Sequence, residues 1–150
     1  MPITTEQMRA ILSTIVKTSF PAANIVDSPV QNTSMIRHLP IATLRMGVKT
    51  PFNAIMNRMT PDVGDYEIQN FTIQCLASNC NIDGCSKNKY ANDMADVITK
   101  YMKKNRSAFK INEIHDIYEV NSHELTVEDF SSYTTSRSLI SGKLLVRNTD

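Results

Sequence analysis

The fold of this chain is decided by the stretch YEIQNFTIQCLASNCNIDGCSKNKYANDMADVITKYMKKN, residues 66–105. Its first third predicts a strand over Phe71 to Ala77 that belongs to a sheet. Side chains alternate between the two faces of a strand, and one face here is apolar: Phe71, Ile73, Cys75 and Ala77. Even-numbered positions are apolar before Phe71 and odd-numbered positions after it. This slip predicts a bulge or a short break near Gln69 and Asn70.

The last part of the same stretch predicts a helix over Ser86 to Lys104. Ser86 suits an N-cap, because its hydroxyl can accept a hydrogen bond from a free backbone N–H of the first turn. Residues 78–85, which join the strand to this helix, are rich in types that favour turns. The apolar side of the helix is marked by residues spaced three and four apart: Tyr90, Met94, Val97, Ile98, Tyr101 and Met102.

Outside this stretch, a first helix is predicted over Thr5 to Phe20. Thr4 and Gln7 form a capping-box pattern at its start, and Pro21 ends it. Residues 21–34 have an irregular composition. Extended structure is predicted over 35–48, interrupted at Pro40, and again over 114–120 and 132–147, where Leu139 to Arg147 alternates as a half-buried strand.

These elements predict one α+β domain over residues 1–150, a length that ordinary single domains share. We expect the order α-β-β-α-β-β, with an antiparallel sheet flanked by two main helices in a two-layer sandwich. The predicted core consists of the apolar-face residues Ile11, Leu12, Ile15, Phe71, Ile73, Met94, Ile98, Leu144 and Val146.

The composition restricts the kinds of molecule that the protein is expected to bind. The formal net charge is +1, so no general attraction to nucleic acid or to anionic membranes is expected. No apolar run approaches the length of about 20 residues that spans a bilayer. Charged residues interrupt the first twenty positions, which argues against a secretory signal. We therefore expect a protein made in a cytoplasm, with no membrane partner and no sequence-specific nucleic acid.

The three cysteines are predicted to be free thiols without a metal. Cys75, Cys80 and Cys85 lie five residues apart, which is neither the CxxC spacing of zinc sites nor a redox motif. Residues 79–84 resemble the start of a calcium loop, but its twelfth position is Tyr90 instead of glutamate. No cofactor or metal is therefore expected.

Catalytic motifs are missing from the sequence, and we predict that the protein is not an enzyme. His38, His115 and His123 are far apart along the chain, and no serine or cysteine stands in a nucleophile elbow. With four glycines in total, the chain has no glycine-rich phosphate loop. A catalytic site would have to be assembled from residues dispersed in the sequence.

Two features predict contacts with other molecules. Residues 52–59 form either a short helix or an apolar loop, and their apolar side chains are the candidate oligomer interface: Phe52, Ile55, Met56 and Met59. Basic residues concentrate over 100–110 and acidic residues over 113–129. This segregation could steer self-association, or it could be a solvated helix end beside an acidic segment.

The arrangement resembles the tail terminator, or tail completion, proteins of tailed bacteriophages. The resemblance is carried by three parts: the amphipathic helix Glu6 to Phe20; the unit from Asp65 through Ala77 to the helix Tyr90 to Ile98; and the closing strand Arg137 to Arg147. Residues 21–34 and the cysteine-containing turn depart from it. The resemblance implies a small α+β protein without catalytic residues that forms a ring, most often a hexamer.

By this resemblance the protein would be a structural subunit of the virion, assembled in the host cytoplasm. Its partners would be further copies of itself, the tail-tube proteins and the neck or connector proteins at the head–tail junction. The alternative reading is a small cytosolic adaptor or regulatory domain that binds a host protein or nucleic acid as a monomer.

Overall fold

The computed structural model describes residues 4–21, 23–26, 40–51, 66–78, 89–106, 114–129 and 134–147. These residues form an α+β structure with two helices and one five-stranded sheet, as the fold class predicted. Along the chain, the elements are α1 (Thr5–Ser19), β1 (Asn24–Val26), β2 (Ile41–Pro51), β3 (Tyr66–Ser78), α2 (Lys89–Lys104), β4 (Ile114–Asp129) and β5 (Thr134–Arg147).

The sheet is mixed, and this corrects the prediction of a purely antiparallel one. Its strand order is β1-β2-β3-β5-β4, and β1 runs parallel to β2 while the other neighbours are antiparallel. Strand β1 falls where the sequence predicted irregular structure, so the element order α-β-β-α-β-β was wrong by one strand. Three residues are too few to display an alternating pattern, and pairing with β2 defines this strand instead.

Helix α1 begins as its sequence predicts. The Thr4 hydroxyl accepts from the Gln7 backbone N–H at 3.1 Å, and the Gln7 side chain accepts from the Thr4 N–H at 2.8 Å. The helix ends at Ser19, where Phe20 is the C-cap. Helix α2 is described from Lys89, so its predicted start at Ser86 lies outside the described residues.

The core lies between the two helices and one face of the sheet. Every predicted core residue is buried except Ile11, which is half-buried and packs against the same cluster. Val97 was predicted on the apolar face of α2, and this was wrong, because 43% of it is exposed. It precedes the buried Ile98 by one residue, or about 100° around a helix, which turns it away from the sheet.

The slip near Gln69 and Asn70 is not caused by a bulge or a break in β3, because the bulge at this level lies on the neighbouring strand β2. Strand β3 pairs with β5 without interruption from Tyr66 to Ser78. On its other side, Gly47 and Val48 of β2 together oppose Asn70. The prediction of a bulge or a break in β3 is therefore wrong, and its even-numbered apolar residues before Phe71, Tyr66 and Ile68, lie on the face opposite the helices.

Strand β4 is longer than predicted and continues from Ile114 to Asp129. Its register against β5 shifts three times, and in one shift Glu119 adopts a left-handed conformation with φ 52°. Each extra residue reverses the alternation of faces. The alternation of apolar and polar residues therefore ends at Val120 in the sequence, although the strand continues to Asp129.

Candidate assembly surfaces

The four residues predicted as an oligomer interface, Phe52, Ile55, Met56 and Met59, lie outside the described residues. The pairing of the flanking strands fixes only where their segment begins and ends. Pro51 pairs with Glu67, so the chain leaves β2 and enters β3 at the same end of the sheet. Strand β5 ends and β4 begins at that end too, since Tyr66 pairs with Arg147 and Ile114 with Val146.

One edge of the sheet is formed by β2. The short β1 covers only its first three residues, from Ile41 to Thr43. From Leu44 to Pro51 the outer side of β2 has no strand beside it among the described residues. This open part carries the most exposed large apolar side chain of the described chain, Val48, at 70% exposure.

The bulge that presents Val48 is held by two side chains of β3. Gln69, which is 1% exposed, donates from its amide to the Gly47 carbonyl at 2.6 Å and to the Asn70 carbonyl at 2.9 Å. The Asn70 amide donates to the Val48 carbonyl at 3.2 Å. Since buried polar groups are costly unless hydrogen-bonded, these side chains fix the bulge in place.

The opposite edge is formed by β4, and it too carries a bulge with an exposed apolar side chain. Between Glu124 and Thr126 the register shifts, and Leu125 is the additional residue. Leu125 is 41% exposed. Bulges and charges are typical of open sheet edges, because they hinder uncontrolled pairing with another strand.

A polar cluster joins the start of α2 to β4 and β5. The Asn92 amide donates to Glu124 at 2.9 Å and the Ser138 hydroxyl donates to Asn92 at 2.5 Å. The Ser136 hydroxyl accepts from the Ala91 backbone N–H at 3.4 Å, which satisfies one of the free donors of the first helical turn. This network sets the position of α2 and brings its acidic side chains beside β4.

The predicted separation of charge is partly neutralised within the molecule. Arg106, at the end of α2, makes a bidentate contact with Asp116 of β4, with its closest distance at 2.5 Å. Lys143 pairs with Glu119 at 2.8 Å, and its hydrogen bond to that carboxylate raises the pKa of Lys143. Solvent-exposed pairs of this kind contribute little to stability, because water and salt screen them.

The titratable groups of the sequence do not form a reactive site within the described residues. Cys75 is buried with a free thiol, and desolvation raises its pKa from 9.0 to about 12. Cys80, Cys85 and His38 lie outside the described residues, and His123 is exposed. In the part of the chain that the structure describes, no three His, Cys, Asp or Glu side chains could hold a metal ion together.

A shallow depression of about 360 Å³ beside α1 is lined by Ser13, Thr14, Lys17, Thr18 and Ile25. Three of its four polar side chains are already engaged. The hydroxyls of Thr14 and Thr18 donate to helix carbonyls at 3.0 and 2.7 Å, and the Lys17 amine donates to the Pro21 carbonyl at 3.2 Å. This depression therefore does not suggest a ligand.

No family model matches this sequence, and no curated protein is detectably similar to it. Among the described residues, no helix is long and apolar enough to span a membrane.

Sequence reasoning did not identify either sheet edge as a contact surface. For β2, one signal was available, because a glycine inside a strand pattern, such as Gly47, often marks a bulge. For β4, the local sequence offered no such signal, and Leu125 became visible only through the register with β5.

Proposed function

We propose that this protein is a structural subunit of a bacteriophage virion, of the tail terminator or neck type. In this proposal, identical copies form a ring at the head–tail junction, most often a hexamer, and contact the tail tube and the connector. The protein has no catalytic role, and it assembles in the cytoplasm of the host.

The observation that carries the proposal is that the two edges of the sheet are formed by different strands and both present apolar side chains. The open part of β2 and the whole of β4 lie on opposite sides of the sheet, and each presents an exposed apolar side chain at a bulge. Contacts between two unlike surfaces of the same chain are heterologous, and they close into a ring when the rotation between copies permits.

The fold is compatible with the family that the sequence resembles. That family is expected to have an antiparallel sheet flanked by helices, and here three of the four strand pairs are antiparallel while β1 is parallel to β2. A domain of two layers, with its helices on one face, would leave both sheet edges accessible to neighbouring subunits.

The segment 52–65 supports the proposal through its position in the chain. Its ends are fixed at one end of the sheet by the pairing of Pro51 with Glu67. Apolar residues concentrated in a connection at a sheet end are suited to contacts with a neighbouring protein. Phe52, Ile55, Met56 and Met59 are therefore proposed to contact either the next subunit or the tail tube.

The test is the place of the protein in assembled particles. Purified virions should contain it in several copies per particle, as measured by quantitative mass spectrometry against the tail-tube protein. Antibody labelling seen by electron microscopy should mark the head–tail junction. Absence from virions, or a single copy per particle, would reject the ring and favour the adaptor reading.

A further inference from the structure

We infer that one copy of this chain docks through the β2 edge onto the β4 edge of the next copy. The β2 edge is defined by Arg45, Val48 and Lys49, and the β4 edge by Asp96, Glu124 and Leu125. The inference rests on the proposed function, because it names the contact surfaces of the proposed ring.

The β2 edge has an apolar centre with basic flanks. Val48 is 70% exposed, and Arg45 and Lys49 on either side of it are exposed as well. Neither cation has a carboxylate partner within the described chain. The bulge that carries Val48 is stabilised by the buried Gln69, so the arrangement is fixed before any partner arrives.

The β4 edge has an exposed apolar residue with two carboxylates on one side of it. Leu125 is 41% exposed and follows Glu124, while Asp96 lies beside the same strand through a hydrogen bond of 3.3 Å from Ser122. Glu124 and Asp96 are exposed and accept hydrogen bonds only from neutral side chains in the described residues. Their charges therefore remain available to a partner.

The occupant that matches each edge is the other edge of a second copy. Val48 with two cations beside it faces Leu125 with two anions beside it, and such charge complementarity favours this contact and speeds encounter. Both edges are interrupted by bulges, which break continuous strand pairing. The contact should therefore form through side chains and weaken as salt screens the charges.

Charge-reversed edges provide the test. One variant carries Arg45→Glu and Lys49→Glu, which makes both of its edges acidic. A second variant carries Asp96→Lys and Glu124→Lys, which makes both of its edges basic. Sedimentation velocity of the full chain at low salt should show that each variant alone associates about tenfold more weakly than the wild type.

Mixing the two variants gives the decisive result. In an equimolar mixture every β2 edge again faces a β4 edge of opposite charge, so association should return to the wild-type level. A variant that fails to fold could not be restored in this way. Lys103→Glu with Lys104→Glu is the control, since it reverses two exposed cations that are not among the residues defining either edge and should leave association unchanged.

The apolar contribution of Val48 is tested by a pair of matched variants. Val48→Ser should weaken association, whereas Val97→Ser, at another exposed valine, should not. The inference is overturned if the wild type is monomeric at millimolar concentration and low salt, or if the charge-reversed variants associate as the wild type does. Occurrence in virions is measured separately, so a ring built on other surfaces would remain distinguishable from the absence of a ring.

Discussion

Gly142 shows how one residue controls the core at the residue scale. It lies on the core side of β5 and pairs with Phe71 of β3. A Cβ atom added at this position would lie 2.5 Å from Phe71 Cζ and 3.2 Å from Val120 Cγ2. The absence of a side chain at Gly142 therefore gives the buried ring of Phe71 its space.

Gly142→Ala is expected to lower the free energy of unfolding by about 1–3 kcal/mol, because the added methyl group overpacks the core. Urea denaturation measures this change. Gly47→Ala is the milder comparison, since its nearest contact would be Asn70 Cβ at 3.2 Å.

The double variant with Phe71→Leu tests the cause of that loss. The smaller side chain relieves the clash, so the two substitutions together should cost less than the sum of their separate effects. Strict additivity would show that the strain at Gly142 does not come from Phe71.

The buried thiol of Cys75 predicts that the stability of the fold depends on pH in the alkaline range. Burial raises its pKa from 9.0 to about 12, so the folded state holds this proton more tightly than the unfolded state does. Stability from this group is therefore complete below about pH 9 and is lost as the pH rises toward 12, with a slope of about 1.4 kcal/mol per pH unit.

Urea denaturation at several alkaline pH values, with Cys75→Ala as the comparison, measures this contribution. The wild type should lose stability more steeply than the variant over that range. Parallel curves would mean that Cys75 does not titrate differently in the two states. Thiol labelling should also leave Cys75 unmodified in the native protein when Cys80 and Cys85 are replaced by serine.

At the scale of elements, the bulge of β2 depends on a side chain from another strand. Gln69 faces the core side of β3, yet it is polar and almost fully buried. Its amide donates to the Gly47 carbonyl, where two residues of β2 oppose one residue of β3. The bulge of β2 thus explains why the polar Gln69 occupies a core position, since Gln69 binds a carbonyl of that bulge.

Gln69→Met is expected to cost about 1 kcal/mol or more, because it removes the donor and leaves the carbonyls of the bulge without their partner. Gln74→Met is the control in the same strand, since Gln74 is half-buried on the opposite face and should change stability by at most about 0.5 kcal/mol. Chemical denaturation measures both variants. Equal effects would mean that the hydrogen bond to Gly47 does not stabilise the bulge.

At the scale of the whole molecule, one core connects both helices to four of the five strands. The buried cluster includes Leu12 of α1, Ile98 of α2 and Ile73 in the centre of the sheet. Most buried apolar residues of the described chain belong to this cluster, whereas Ile41 and Leu76 are buried on the other face of the sheet. The domain should therefore unfold as a single unit.

Far-ultraviolet circular dichroism and tyrosine fluorescence should report one coincident transition in urea. Ile98→Ala should shift that transition by about 2–5 kcal/mol for both probes together, because the helix and the sheet share one cluster. A midpoint that differs between the probes would show that α2 and the sheet unfold separately.

The sequence by itself determined the α+β class, both helices, the strand from Phe71 to Ala77 and most of the buried core. These features depend on local periodicity and capping, which act over a few residues and leave a visible pattern. The change of phase near Gln69 does not mark an irregularity of β3, since this strand is continuous and its Tyr66 and Ile68 lie on its other face. The sequence did not identify the bulge of β2, because that bulge depends on the pairing of two strands.

Only the tertiary structure decided the parallel strand Asn24–Val26, the full length of β4 and the two edges that have no strand beside them among the described residues. A strand of three residues is defined by the neighbour that it pairs with, and each bulge hides the alternation that would reveal a longer one. The exposure of Val48 and Leu125 likewise depends on strand pairing, because both residues lie at bulges of strands at the edges of the sheet. Edges are a property of strand order, and strand order is set by contacts between residues that are distant in the chain.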